Sequence, residues 1–502
     1  MSQLFKILNN FDVLSDQACF YIKNKNYTYG QFSKLLSRIQ KLIHFYNDEV
    51  FGILMHDDIR VYASIVAVLL QNKGYVIINP KNPIERNNSI IEQSGLLHIL
   101  CFFESDISLA TQFGANLIFV SDLSDDESDK LTEPGIFHWD ENKTAYILFT
   151  SGSTGIPKGV KITHKNLASF FESFFKLDIS ITDSDKVLQM FDLTFDVSVA
   201  MLLCPLIKGA CIYTTPFDKV KYIEIAKILN KYSISVLCLV PSVLSYLKPY
   251  FAELKFESVK ECILTAEASH YDLINDWKRC VPHSQIWNLY GPTEATIWCL
   301  AYKFDENAEN EIYNGMIAIG KEMYSVGSLV IDEQDKIISV INEKGELLIS
   351  GEQVTYGYIN DADKNLSAFV NIEVDGNKQR YYKTGDVVYK NEFGNLMYCG
   401  RLDHQVKVQG YRIELNEIEY YARMHSKTSN AICFISGNDS QELILIIEQM
   451  IGSESEIISE LKIKLPAYMV PRKVISINAF PVNASNKIDR PSIRNNYLDG
   501  IK

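Results

Sequence analysis

The stretch Tyr146–Val160, YILFTSGSTGIPKGV, constrains this chain more than any other. An apolar run of strand character (Tyr146, Ile147, Leu148, Phe149) stops at Thr-Ser-Gly-Ser-Thr-Gly, followed by Pro157, Lys158 and Gly159. Gly152, Gly155 and Gly159 permit positive φ, so backbone N–H groups can turn inward. Thr150, Ser151, Ser153 and Thr154 add hydroxyl donors, and Lys158 adds a positive charge. Such a concave set of donors suits an anion, above all a polyphosphate. The Walker A pattern cannot be laid over it, because Lys158 sits between Pro157 and Gly159. A glycine- and serine-rich surface loop without a ligand is the competing reading.

At 502 residues the chain exceeds what one core usually supports, so two or more domains are expected. Its net charge of −13 argues against a nucleic-acid surface but not against a local anion site. The ten cysteines are scattered, without C-x-x-C spacing or a nearby His pair, which predicts reduced thiols, no structural metal and a cytoplasmic location. The N-terminus has no signal-peptide pattern, and the apolar run Val61–Leu70 is about half a membrane span. No membrane segment is expected.

Residues 1–145 alternate between helical and strand patterns. Phe32, Leu35, Leu36, Ile39, Leu42 and Ile43 recur at helical spacing, Val61–Leu70 reads as a buried helix, and Tyr75–Ile78 as a buried strand. An exposed acidic loop is expected at Asp122–Pro134. Strand candidates at Lys186–Met190, Ala210–Thr214, Ile234–Leu239 and Cys262–Ala266 continue the alternation, which implies α/β layers with mostly parallel pairing. From about residue 340, short strands punctuated by Gly, Asn and Asp predict antiparallel β structure: 345–350, 380–384, 395–400 and 404–409. The last hundred residues read β-α-β-β-α, with helices at Glu414–Met424 and Glu454–Leu465. The predicted architecture is therefore a large α/β N-terminal domain with a β-rich subdomain, 1–402, hinged to a small α+β C-terminal domain, 403–502.

Further segments follow in order: FDVSV (195–199), NLYGPTEATIW (288–298), GELLISGEQVTYGYIN (345–360), YKTGDVVY (382–389), GRLDHQVKVQGYRIELNEIE (400–419) and NASNKIDR (483–490). Together with the glycine-rich stretch they resemble the core motifs of adenylate-forming (AMP-binding) enzymes. The likeness is greatest to amino-acid adenylation domains of peptide synthetases and to D-alanine–carrier protein ligases, and weaker matches extend it over nearly the whole chain. The resemblance implies ATP and Mg²⁺ as cofactors. It implies that Thr150, Ser151, Gly152, Ser153, Thr154, Gly155 and Lys158 hold the β- and γ-phosphates. Glu294 matches the magnesium-binding carboxylate, Thr293 an α-phosphate contact, and Tyr290 an adenine-stacking ring, with Asn288 and Gly291 in the same nucleotide-binding motif. Asp386 and Arg401 match the ribose contacts; an ionised carboxylate accepts from two hydroxyls.

Lys487 matches the lysine that bridges substrate carboxylate and adenylate in the first half-reaction, although Ser485-Asn486 replaces the family's Asn-Gly before it. Asn tolerates left-handed backbone angles best among the non-glycine residues. Asp403 matches the hinge, about which relatives exchange the Lys487 face for one bearing Lys407 and Gly410 to admit a phosphopantetheine thiol.

The resemblance also points to the acid activated. In amino-acid-activating relatives a carboxylate at Asp196 pairs with the α-ammonium; Asp192 lacks the Phe-Asp-x-Ser-Val frame. Matched positions place Val197, Ala200, Cys238, Leu264, Ala266, Leu289 and Ile297, with Trp298 as an additional candidate, around the side chain. None is charged, so a small or medium neutral amino acid, such as alanine, is expected. Ala266-Glu267 replaces the usual Gly-Glu. A free-standing ligase that loads a separate carrier protein is the expectation, since no carrier motif follows Arg490. A fatty- or aryl-acid coenzyme A ligase, disfavoured by Asp196, and a catalytically silent nucleotide-binding scaffold are the alternatives.

Overall fold

The computed structural model describes residues 2–107, 112–121, 139–151, 156–217, 219, 221–305, 311–403, 405–426, 430–437, 441–450, 452–481, 488 and 490–499. The acidic loop expected at Asp122–Pro134 lies outside them, as do Gly152, Ser153, Thr154, Gly155 and Lys487.

Among the described residues, two large sheets with helices dominate the first 320 positions. The nine-stranded sheet is centred on the parallel strands Lys186–Gln189, Val236–Leu239, Glu261–Thr265 and Gln285–Tyr290. The six-stranded sheet pairs Val50–Leu54 with Gly74–Ile78 in parallel and ends in the antiparallel pair Thr144–Thr150 and Lys158–Thr163. The helix Ile59–Leu70 is buried along its whole length, as its uninterrupted apolar sequence predicts, and packs on Tyr29–His44 and on this sheet. The helix Tyr29–His44 is fixed at its start by a capping box, Thr28 with Gln31, and buries Phe32, Leu35, Leu36, Ile39 and Ile43.

A five-stranded antiparallel sheet follows, from Val326–Ile331 to Leu396–Arg401. Beyond it a separate small core gathers Val408, Ile413, Ile418, Leu445, Leu461 and Val474. Its order is fuller than the expected β-α-β-β-α. The strand Lys473–Ile477 and the helix Arg490–Asp499 were not predicted. That strand buries one residue in five and pairs in parallel with Glu442–Glu448, a long-range contact that leaves no clear period-two pattern.

The elements that carry the site are β1 (Thr144–Thr150), β2 (Lys158–Thr163), α1 (Val197–Lys208), β3 (Gln285–Tyr290), β4 (Asn377–Lys390), β5 (Leu396–Arg401), β6 (Gln405–Val408), β7 (Tyr411–Glu414) and α2 (Leu415–Ser426). The hairpin β6–β7 reaches from the small core onto the ends of β1, β2 and β3.

Candidate active site

Side-chain alternation along β3 puts Asn288 and Tyr290 on a cavity of about 340 Å³, with Arg401, Asp403 and Lys407 on its other walls. The Tyr290 hydroxyl donates to Asp386. Asp386 and Arg401 face each other across β4 and β5, joined by an ion pair of 2.6 Å, and the Arg401 Nε donates to Asp403 at 2.7 Å. The Asn288 side chain is committed internally: its amide donates to the Ala318 carbonyl at 2.8 Å and its oxygen accepts from Ser269 at 3.0 Å. The Lys407 ammonium stands 5.5 Å from the Tyr290 ring centroid. Burial holds its pKa below the usual lysine range, against the opposing pull of Asp386.

A second cavity, about 210 Å³, joins Thr150, Ser151, Lys158 and Glu294 to Lys364, Lys383 and Arg412. Glu294 sits on a single 3₁₀ turn after β3 and is 1 % exposed. Burial pushes its carboxyl up, but the Arg412 guanidinium at 2.9 Å and the Tyr358 hydroxyl at 2.7 Å outweigh this and hold it below the usual range. Lys158 pairs with Glu414 at 3.2 Å. The Ser151 hydroxyl donates to the Arg412 carbonyl and accepts from the Glu414 N–H, both at 3.0 Å.

The turn behind Glu294 is strained. Thr296 and Ile297, both β-branched, adopt φ of 57° and 73°. Gln353 braces them: its side-chain amide donates to the Ala295 and Trp298 carbonyls, and its backbone carbonyl accepts from the Thr296 hydroxyl. Gly291 makes the turn possible, since a Cβ there would lie 2.3 Å from the Ile297 oxygen.

A third cavity, about 70 Å³, lies between these two. Asp196, at the start of α1, is on its wall with Val197, Ala266, Thr293 and Ile297. Burial pushes the Asp196 carboxyl up to about 6, despite a hydrogen bond from the Thr293 hydroxyl. Asp192 is engaged elsewhere, accepting from Thr194 and Asn79. Ala200, Cys238, Leu264 and Leu289 are buried but do not line the cavity. Trp298 is also fully buried, its indole N–H donating to the Thr265 hydroxyl at 2.8 Å and its ring packing on Phe170 and Phe174. Ala266 takes φ of 67°, which explains why a glycine suits this position and why Ala replaces it at some cost.

The hairpin β6–β7 closes the site. The Gly410 N–H donates to Glu267 at 2.7 Å, and the other Glu267 oxygen accepts from the Ser242 N–H at 2.8 Å. Gly410 needs to be glycine: its φ is 82°, and a Cβ would meet Val240 at 2.8 Å. Arg86, on the helix Ile84–Ser94, and Glu417, on α2, form a buried ion pair of 2.9 Å. The ring of Tyr411 stacks on Tyr468 and meets Phe195 edge-on. Thus the face bearing Lys407 and Gly410 is turned to Asp196, Tyr290 and Asp386.

Sequence reasoning missed Glu267, Tyr358, Arg412 and Glu414. The last two stood inside the segment 400–419, but nothing in the sequence brings them to Lys158, which is 256 positions from Glu414. Among the described residues no three His, Cys, Asp or Glu side chains cluster to hold a metal. Glu294 alone offers a buried ionised carboxylate in the phosphate-sized cavity. Magnesium held by one carboxylate completes its shell with substrate phosphates and water, so these residues fit an ion that arrives with a nucleotide.

The profile of the family described as AMP-binding enzyme matches residues 11–359. Zwittermicin A synthase ZmaJ of Bacillus cereus is 29% identical over 95% of this chain and 91% of its own length. Gramicidin S synthase 1 of Brevibacillus brevis is 28% identical over 98% of this chain and 43% of its own length. The chain spans less than half the length of the first curated relatives it matches. In solved structures, the Vibrio cholerae adenylation domain AlmE, in complex with glycyl-adenosine-5′-phosphate, superposes with a TM-score of 0.88. It is 24% identical and covers 99% of this chain and 98% of its own, a likeness of fold. No helix of the described residues is long and apolar enough to cross a membrane.

Proposed function

Because the chain belongs to the AMP-binding enzyme family, we propose that it activates a small neutral amino acid with ATP and passes the aminoacyl group to the phosphopantetheine thiol of a carrier protein. The observation that carries this reading is Asp196. Asp196 is a buried carboxylate on a cavity of only about 70 Å³; Lys407 lines the same cavity, but no Lys or Arg is ion-paired to Asp196 among the described residues, which leaves it suited to a cation brought by the substrate. An α-ammonium group meets that need, and fatty or aryl acids do not.

In the first half-reaction a carboxylate oxygen of the amino acid attacks the α-phosphorus of ATP. The bond to the bridging oxygen breaks and pyrophosphate leaves. Lys158 and the loop from Thr150 to Gly155 hold the β- and γ-phosphates, and Thr293 orients the α-phosphate. Asp386 and Arg401 take the ribose hydroxyls, and Tyr290 faces adenine. Glu294 holds Mg²⁺, which when bound neutralises charge on the phosphate oxygens. Lys487 brings a mobile point charge to the developing adenylate.

The chain divides at a hinge, Asp403, into a large unit, 1–402, and a small one, 403–502. Thioester formation uses the face of the small unit with Lys407 and Gly410: the thiol sulfur attacks the aminoacyl carbonyl and AMP leaves. A cavity of about 450 Å³ supports this, since it adjoins the Asp196 cavity at Phe149, Thr194, Phe195 and Tyr468 and is lined from both units.

Lys487→Ala tests the assignment. Nucleotide binding should persist while adenylate formation, followed by amino-acid-dependent ATP–pyrophosphate exchange, falls by two orders of magnitude or more (about 3 kcal/mol or more). Full exchange would remove Lys487 from the mechanism. Incubating the enzyme with separately produced phosphopantetheinylated carriers tests delivery in trans.

A further inference from the structure

The two charges assigned to the magnesium–phosphate half of the site are both taken by one hairpin. Arg412, on β7, pairs with Glu294 at 2.9 Å, and Glu414, on the same strand, pairs with Lys158 at 3.2 Å. Ser151, from the glycine-rich loop, is bound by the backbone of the same two residues, accepting from one and donating to the other. All four charged side chains are largely buried, with side-chain exposures of 18, 1, 7 and 11 % for Arg412, Glu294, Glu414 and Lys158.

We propose that Arg412 and Glu414 are positioning residues that stand in for magnesium and phosphate, so that the hairpin closes only after magnesium pyrophosphate has left. A carboxylate as buried as Glu294 requires a cation in either arrangement, and an unpaired one is strongly disfavoured. Arg412 supplies that cation once the metal is gone. Glu414 supplies to Lys158 the negative charge that the departing phosphates removed. The hairpin brings one cation and one anion, with no net charge, to the two side chains on the phosphate-sized cavity, where magnesium pyrophosphate would carry a net negative charge. Closure and magnesium pyrophosphate are therefore mutually exclusive. Acyl transfer then runs in a site from which the reverse attack of pyrophosphate on the adenylate is barred.

The inference rests on the assignment of Glu294 and Lys158 made above, and direct binding separates the two. Calorimetric titration of the full chain with inorganic pyrophosphate in excess Mg²⁺ reads the competition without catalysis. Where the closed arrangement outweighs the open by about ten to one, freeing the site tightens apparent affinity by about tenfold. Arg412→Ala and Glu414→Gln should each show that tightening, while Arg412→Lys, which keeps the cation, stays nearer the unsubstituted chain. A merely structural role would leave affinity unchanged or weaken it, and that result in the two charge-removing variants overturns the proposal alone. No binding by any of the proteins, the unsubstituted chain included, contradicts the phosphate-site assignment and the proposal with it. Thermal melts of each variant establish that it is folded, and Glu414→Gln carries the test if Arg412→Ala does not fold.

Discussion

The Asp196 carboxyl, pushed up to about 6 by burial, ties substrate binding to pH. Below that value it is protonated and neutral and loses its attraction for an ammonium group; above it the attraction is intact. The kcat/KM for the amino acid, which reports the free enzyme, should therefore fall on the acid side with an apparent pKa near 6. The kcat limb should lie lower, because the bound ammonium favours the ionised form. Asp196→Asn removes a charge-assisted contact worth about 1.5–3 kcal/mol and should raise the amino-acid KM by roughly 10- to 150-fold. An unchanged KM, or an acid limb that survives in Asp196→Asn, would detach the residue from substrate recognition. Asp196 and Glu294 were legible in the sequence because each sits in a short local frame. Glu267 was visible only as part of a departure from the family's usual Gly-Glu, and its bond to the Gly410 N–H joins residues 143 positions apart. Leu289 and Leu264 matched pocket positions but lie off the wall of the Asp196 cavity.

At the scale of elements, the turn after β3 carries backbone strain and the hairpin β6–β7 carries contacts to Glu294, Lys158 and Glu267. Gly291→Ala would drive a methyl group against the Ile297 carbonyl and should destabilise the fold by about 1–3 kcal/mol, read as a lowered melting temperature. Gly410→Ala meets both an unfavourable φ, about 1–2 kcal/mol, and the Val240 side chain. It should depress aminoacyl transfer at least tenfold more than ATP–pyrophosphate exchange, since only the arrangement with Gly410 inserted is penalised. Equal losses in both assays would mean that the hairpin acts in both half-reactions alike. Helices and strands with strong periodicity, such as Ile59–Leu70, were readable from the chain. The strand Lys473–Ile477 was not, because its identity depends on a partner that folding brings to it.

For the whole molecule, the question is what holds the small core against the large sheets. Arg86 and Glu417 are both almost fully buried at that boundary, and removing one partner of such a pair costs about 3–5 kcal/mol. Arg86→Ala should thus shift the balance away from the closed arrangement and lower transfer more than exchange; a proportionate fall in both would contradict this. A second, smaller core after residue 400 could be expected from the change of texture near residue 340 and the motifs after 400. Which residues of the hairpin β6–β7 meet the site could not, since that depends on pairs such as Arg412–Glu294, formed by residues 118 positions apart.

The most direct measurement is ATP–pyrophosphate exchange across both enantiomers of the common amino acids, together with fatty and aryl acids. The account predicts stimulation by small neutral amino acids, little by bulky or charged ones, and none by acids that lack an α-ammonium group. Stimulation confined to non-amino carboxylates would contradict the role given to Asp196, and exchange with no acid at all would contradict amino-acid activation itself.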